Sequence, residues 1–373
     1  MFKKIILVVF IALVVFSAIY AISGKQTVTT SSDRAYEAYQ TADALKKKLY
    51  YKEAITEYEK AIKLDTNFAM AYAELAYLHR DAGRKDLAKE LIKKPISLFP
   101  LITEKEQLFI KTVEAWISED HDLIRQAQDN YIKNFPDDVH SHIYIAERHM
   151  RERKFDKAIE EFNEIIDKDP GYALGYNMLG YLNYWNRNFD EALRFIKKYS
   201  MLAEKEANPH DSHGEILMNL GRYDEAIKAF ETANKIKPDL VFVLDHLGDA
   251  YWNIGHYRDA IGYFERAKDN ADNEERALSM DVKIAHVYHS AMKNEKSLKI
   301  IQDVLQQKGD FLTAKYLECI LLAESGEFDR AEKILTVFDS VATAQEKSGI
   351  DLIEIPEQFL FIDQVIGKRK EKG

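Results

Sequence analysis

The chain has 373 residues and a formal net charge of −10, with 46% hydrophobic and 31% charged residues. That balance excludes a disordered polymer and argues against a nucleic-acid binder, which needs a basic face for phosphates. Only 7 prolines and 15 glycines favour helices, and the lone cysteine, Cys319, leaves no intramolecular disulfide and no cysteine-based zinc site.

At the N-terminus, Phe2, Lys3 and Lys4 precede an uncharged apolar run from Ile5 to Ile22. Such a run crosses most of a bilayer as a helix. Lysines in front, and none behind until Lys25, predict a cytoplasmic N-terminus with the remainder of the chain outside. Residues 1–24 read as an uncleaved signal anchor or as a signal peptide cut after Ala21-Ile22-Ser23. The expected location is therefore a single-pass membrane protein with a periplasmic or extracellular body, or a secreted protein if the segment is cleaved. Residues 25–34, polar and rich in Thr and Ser, are expected to form a flexible tether.

Self-similarity dominates the rest of the chain. Ala158, Ala192, Ala226 and Ala260 are spaced 34 residues apart, as are Phe155, Phe189, Tyr223 and Tyr257. Gly180, Gly214 and Gly248 keep the same period, and so do Gly221 and Gly255. In the stretch 173–206, Tyr176, Leu179, Gly180 and Asn183 fall on one helical stripe, Asn186-Arg187-Asn188 interrupts it, and Ala192, Ile196 and Tyr199 form a second stripe. Two short amphipathic helices cannot bury their faces alone, so each unit needs neighbours.

This pattern resembles that of the tetratricopeptide repeat (TPR) family, most closely over Leu220–Pro238, "LGRYDEAIKAFETANKIKP". The resemblance implies an all-α, right-handed α-solenoid of about nine repeats over residues 35–345, with units beginning at Ala35, Ala69, Thr103, Val139, Ala173, Ala207, Val241, about Leu278, and Leu312. Two departures interrupt the period: Ala88 to Ala158 is 70 residues and Ala260 to Ala331 is 71. They are expected as local kinks or as a split into sub-arrays, with the second slack carried by Asp269–Arg276 and the unit from Leu278. Residues 346–373 are expected to hold a capping helix opened by Pro356, followed by the basic tail Lys368, Arg369, Lys370 and Lys372.

Enzyme signatures are missing: there is no phosphate-binding loop, nucleophile elbow, kinase set or dinucleotide fingerprint, so neither catalysis nor a cofactor is expected. His140, His142 and His149 cluster, and His210 and His213 are three apart, but no third ligand accompanies that pair, so no metal is expected. In TPR proteins the first helix of each pair lines a concave groove. Carried onto this sequence, the groove residues include His140 and Glu147, then Asn177, Tyr181, Tyr184 and Trp185, then Asn208, Asp211 and Glu215, then Asp245, Asp249, Trp252 and Asn253. Aromatic side chains offer large contact area at low rotamer cost. The five carboxylates would favour a basic ligand. The two-lysine-plus-asparagine clamp of chaperone-binding TPRs is absent, which argues against chaperone tails. The expectation is a membrane-tethered extracytoplasmic scaffold or adaptor that binds a protein or peptide segment. The competing expectation is a sensory solenoid with a small-molecule or metal site, regulating a membrane complex.

Overall fold

A computed structural model describes residues 28–336, and every regular element among them is helical. The α-helices are α1 (Asp33–Lys47), α2 (Tyr51–Leu64), α3 (Ala69–Asp81), α4 (Lys85–Ser97), α5 (Glu104–Ser118), α6 (His121–Asn134), α7 (Val139–Arg151), α8 (Phe155–Lys168), α9 (Ala173–Trp185), α10 (Phe189–Leu202), α11 (Ala207–Asn219), α12 (Tyr223–Ile236), α13 (Val241–Asn253), α14 (Tyr257–Asp269), α15 (Glu274–Ser290), α16 (Asn294–Gln307) and α17 (Leu312–Ser325). A further helix is described from 328 to 336. Odd-numbered helices are the first members of pairs and even-numbered helices the second. Within each compact unit of the chain, paired helices pack on one another and on the next pair, the arrangement of a TPR-like solenoid.

The 34-residue period has two packing causes. The recurring small residue of each second helix is fully buried: Ala54, Ala88, Ala158, Ala192, Ala226, Ala260 and Ala331 are all 0% exposed. Where the sequence has Ser297 instead, its hydroxyl donates to the Ala285 carbonyl at 2.8 Å, so the polar group is satisfied. The recurring glycine of the first helix lets an aromatic or aliphatic side chain of the second lie on its backbone. A Cβ at Gly214 would sit 2.5 Å from the Phe230 ring, and one at Gly248 would press as closely on Phe264.

A third periodic feature was not visible as a residue type. The turn inside each pair contains one left-handed residue: Leu49, Gly83, Glu119, Arg153, Arg187, Gly221, Gly255, Met292 and Gly326 have φ between 55° and 89°. The turn geometry demands this conformation even where glycine, the residue that adopts it without cost, is not supplied.

The two irregular stretches are neither linkers nor boundaries. The regular first helices α7, α9 and α13 have 13 residues, whereas α5 has 15 and α15 has 17. In the second stretch the extra residues lengthen α15; in the first they are shared between α5 and the connection before it, residues 98–103, which holds a 3-10 turn at Phe99–Leu101, and both following turns keep their left-handed residue. The chain does divide into two compact units, but between Ser212 and His213, away from both irregular repeats.

In the unit ending at Ser212, one core runs through α1 to α5 around Tyr58, Phe68, Leu75 and Ile92, and a second joins α7 to α10 around Phe162, Ile165, Leu179 and Leu182. Burying side chains of this size stabilises by about 1.5–3 kcal/mol each. Beside the first core lies a partly buried ion pair, Lys46 Nζ to Glu74 at 2.7 Å. The curl of this unit brings residues far apart in sequence together: Lys48 pairs with Glu206 at 3.3 Å, and the Ala207 amide donates to the Tyr50 hydroxyl at 3.4 Å. In the unit beginning at His213, α13 to α15 share a core around Leu244, Phe264 and Ile284, α15 to α17 share a second around Val282, Val304 and Leu317, and Cys319 is buried against Leu322 and Ala331. Burial pushes the Cys319 thiol up to about 11, so it stays a protonated packing group.

Part of the expected flexible tether is in fact fastened down. The Thr29 amide and hydroxyl donate to Glu106 at 2.6 and 2.7 Å, while the Thr30 hydroxyl and the Ser31 amide donate to Asp65 at 2.6 and 2.9 Å. Ser32 then caps α1 through the Ala35 amide. The hydroxyl-rich composition that reads as a linker is equally suited to hydrogen-bonding buried carboxylates, and two such carboxylates lie beside it. The apolar run Ile5–Ile22, the expected capping helix after Pro356 and the basic tail lie outside the described residues. Among the described residues no helix is long and apolar enough to cross a membrane.

Candidate functional site

The thirteen candidate groove residues do not form one open stripe. His140, at the start of α7, shares a hydrogen bond with Asp138 through Nδ1 (3.1 Å) and lies against Phe109, with ring centroids 5.2 Å apart, while its side chain stays 43% exposed. Glu147 accepts from Gln128 at 3.2 Å, and burial raises its carboxyl above the usual range. Asn208 is buried and donates to the Tyr199 hydroxyl at 2.7 Å. Asp211 is buried as well, and Glu215 is half-buried.

The second half of the acidic stripe is already neutralised. Lys283 on α15 reaches Asp245 at 2.5 Å and Asp249 at 2.8 Å, both on α13. Burial raises the Asp249 carboxyl although the Lys283 ammonium opposes it, while the two carboxylates hold the lysine above its ordinary value against its own burial. The five carboxylates expected to attract a basic ligand therefore do not act together: Asp245 and Asp249 are tied up by an internal cation, Asp211 is buried and Glu215 half-buried on α11, and Glu147 is hydrogen-bonded on α7. Trp252 donates its indole N–H to the Ser290 hydroxyl at 3.0 Å and lies 5.9 Å from the His286 ring. Burial, His289 and Lys283 lower His286 to about 4, so it is neutral there. Asn253 donates back to the Asp249 carbonyl at 2.8 Å, within its own helix.

What stays accessible is an aromatic patch. Trp185, the last residue of α9, is 44% exposed. Its ring lies 5.9 Å from Tyr181 and 6.0 Å from Phe155. The Tyr184 ring lies 5.7 Å from Phe189, itself 41% exposed. Asn177 lies on the same helix, and its Oδ1 is buried without a hydrogen-bond partner. Large apolar rings held in water by packed neighbours are costly to a monomer unless something covers them.

Sequence reasoning misses Lys283, Phe155 and Phe189. Lys283 lies 34 residues after Asp249, so the period itself contained the signal. A unit start at Leu278, four residues after the helix begins at Glu274, shifts the register and hides it. Phe155 and Phe189 stand out in the sequence only as members of the 34-residue series, which does not mark them as neighbours of Trp185 and Tyr184. The clustered histidines are engaged separately: His142 meets Glu161 at 2.7 Å and Lys168 at 3.0 Å, and His210 meets the Glu204 carbonyl at 3.0 Å.

Paired helices of this length, a buried alanine and a left-handed turn at a constant period define a helical-repeat protein. Models of the tetratricopeptide repeat match residues 34–68, 124–208 and 243–277, and a TPR repeat model matches residues 214–255. The chain is a member of the TPR family. Among solved structures it is similar to yeast Tom70, at 15% identity and a TM-score of 0.52, covering 81% of this chain and 66% of that one. It also matches TTC0263, a TPR protein of Thermus thermophilus, at 18% identity and a TM-score of 0.43, covering 49% and 98%. At such identities the likeness is one of fold. A search of curated proteins finds no match.

Proposed function

We propose that this chain is a membrane-tethered, extracytoplasmic scaffold that holds a protein or peptide segment, gripping it through the aromatic patch of Trp185, Tyr181, Tyr184, Phe155 and Phe189. TPR arrays serve protein interaction, and the observation that carries the site is the exposure of Trp185 and Phe189 amid candidate residues that are otherwise buried or paired. Exposed, pre-positioned aromatic rings are typical anchors of protein interfaces. The ligand preference shifts accordingly from basic towards apolar and aromatic, since Lys283 already occupies Asp245 and Asp249. Membrane tethering rests on the lysine-led apolar run Ile5–Ile22, and the extracytoplasmic side on the charge asymmetry around it. No residue set suggests catalysis, and the chain reads as a non-enzymatic component.

Capture from solubilised membranes tests the site. Trp185→Ala is expected to lower partner recovery about tenfold, the usual effect of truncating an interface anchor, with helical content intact. Unchanged recovery would remove the patch from the interface. Protease added to intact cells tests the location: cleavage of the repeat region without opening the cytoplasm is expected, and protection would overturn the topology.

A further inference from the structure

Away from the aromatic patch, second helices α8 and α10 and the intervening α9 border an open hollow of about 530 Å³, within the range of about 300–1,000 Å³ common for ligand sites. Its apolar part is made by Ile166, Tyr176 and Met201, the last 66% exposed at the rim. Three cations border it: Arg194, Lys197 and Lys198.

The cations are not consumed equally. Arg194 is held by Glu191, its Nε 2.6 Å from the carboxylate, and its guanidinium lies 4.4 Å from the Phe195 ring. The Lys198 ammonium stands 5.9 Å from the Tyr176 ring, with no carboxylate paired to it among the described residues. The Lys197 ammonium makes no ion pair or hydrogen bond among the described residues. An exposed ammonium beside an aromatic face and an apolar hollow suits a ligand that is both acidic and greasy.

We infer that this cavity is a second binding site, for an acidic partner segment that inserts one large apolar side chain between Ile166, Tyr176 and Met201 and lays its carboxylates on Lys197 and Lys198. The cations sit at i, i+3 and i+4 along α10, a spread that several carboxylates along a peptide match better than a single phosphate. The site is independent of the Trp185 patch: its chemistry is cationic where that patch is aromatic.

The test uses the full-length protein in mild detergent and a fluorescein-labelled dodecapeptide in which pairs of glutamates alternate with phenylalanine, followed by anisotropy. Saturable binding is expected, weakened about tenfold by the double substitution Lys197→Glu and Lys198→Glu, because each lost pair and its repulsive replacement contribute a modest increment. Met201→Ser is expected to weaken it several-fold. All of these positions are exposed, so the variants keep their fold, which circular dichroism checks. Equal affinity in the double variant, or no binding by the native chain, overturns the assignment. Binding of dioctanoyl phosphatidylglycerol, lost in the double variant, without peptide binding overturns it in favour of a lipid.

Discussion

Lys283 offers a direct test of why the acidic stripe is closed to ligands. Lys283→Met keeps the stem and deletes the charge, leaving Asp245 and Asp249 facing one another without their cation. The three side chains are 29%, 23% and 22% exposed, neither surface nor core. Exposed pairs contribute about 0.2–1 kcal/mol and breaking a buried one costs about 3–5, so this clamp falls between, near 1–2 kcal/mol at pH 7. The sign with pH follows from Asp249, whose folded carboxyl is already raised by burial. A raised carboxyl costs stability above its unfolded value, and that cost disappears as acid protonates it. Removing Lys283 enlarges the cost, so the deficit of the variant should be largest at pH 7 and shrink towards pH 4. Urea unfolding of both proteins at the two pH values measures it. The freed carboxylates should also raise affinity for a lysine-rich probe peptide about tenfold. A deficit independent of pH, or none at pH 7, would refute the clamp.

Two more outcomes are expected from local geometry. Met292 is 85% exposed at φ 58°, so Met292→Gly loses no packing and relieves a left-handed strain of about 1–2 kcal/mol against a glycine entropy cost of about 0.5–1; thermal unfolding should show a net gain, and a loss would contradict the strain argument. Asp65→Ala should release Thr30 and Ser31 while Thr29 stays on Glu106, because hydrogen bonds to a charged acceptor contribute about 1.5–3 kcal/mol; the Ser31 amide should exchange at least about tenfold faster. Burial opposes the Asp65 charge, but bonds from Thr30, Ser31 and Asn67 outweigh it and hold the carboxyl below its usual range. That contribution is therefore present at neutral pH and lost as pH falls through the lowered value, so slow exchange persisting well below it would count against the anchor.

The period was legible in the residues because its causes are steric and local. An alanine with no exposed surface, or a glycine beneath Phe264, tolerates no larger side chain and so repeats as a letter. The left-handed turn was only half legible: its backbone repeats at every pair, but Leu49, Glu119, Arg153, Arg187 and Met292 adopt it without the glycine that announces it.

The sequence by itself determined the helical pairs, their count of residues and the absence of recognisable catalytic motifs, because helix periodicity and buried small residues are properties of neighbouring positions. Only the tertiary structure decided which polar residues remain available. Lys283 cancels Asp245 and Asp249 from 38 and 34 residues away, Tyr199 takes up Asn208, and Asp65 and Glu106 fasten a segment that composition marks as loose. Such pairings depend on where the solenoid brings distant side chains, and a charged or hydrogen-bonding partner, unlike a packing size, is not announced by a repeated residue type, even where, as for Lys283 and Asp249, it lies one period away.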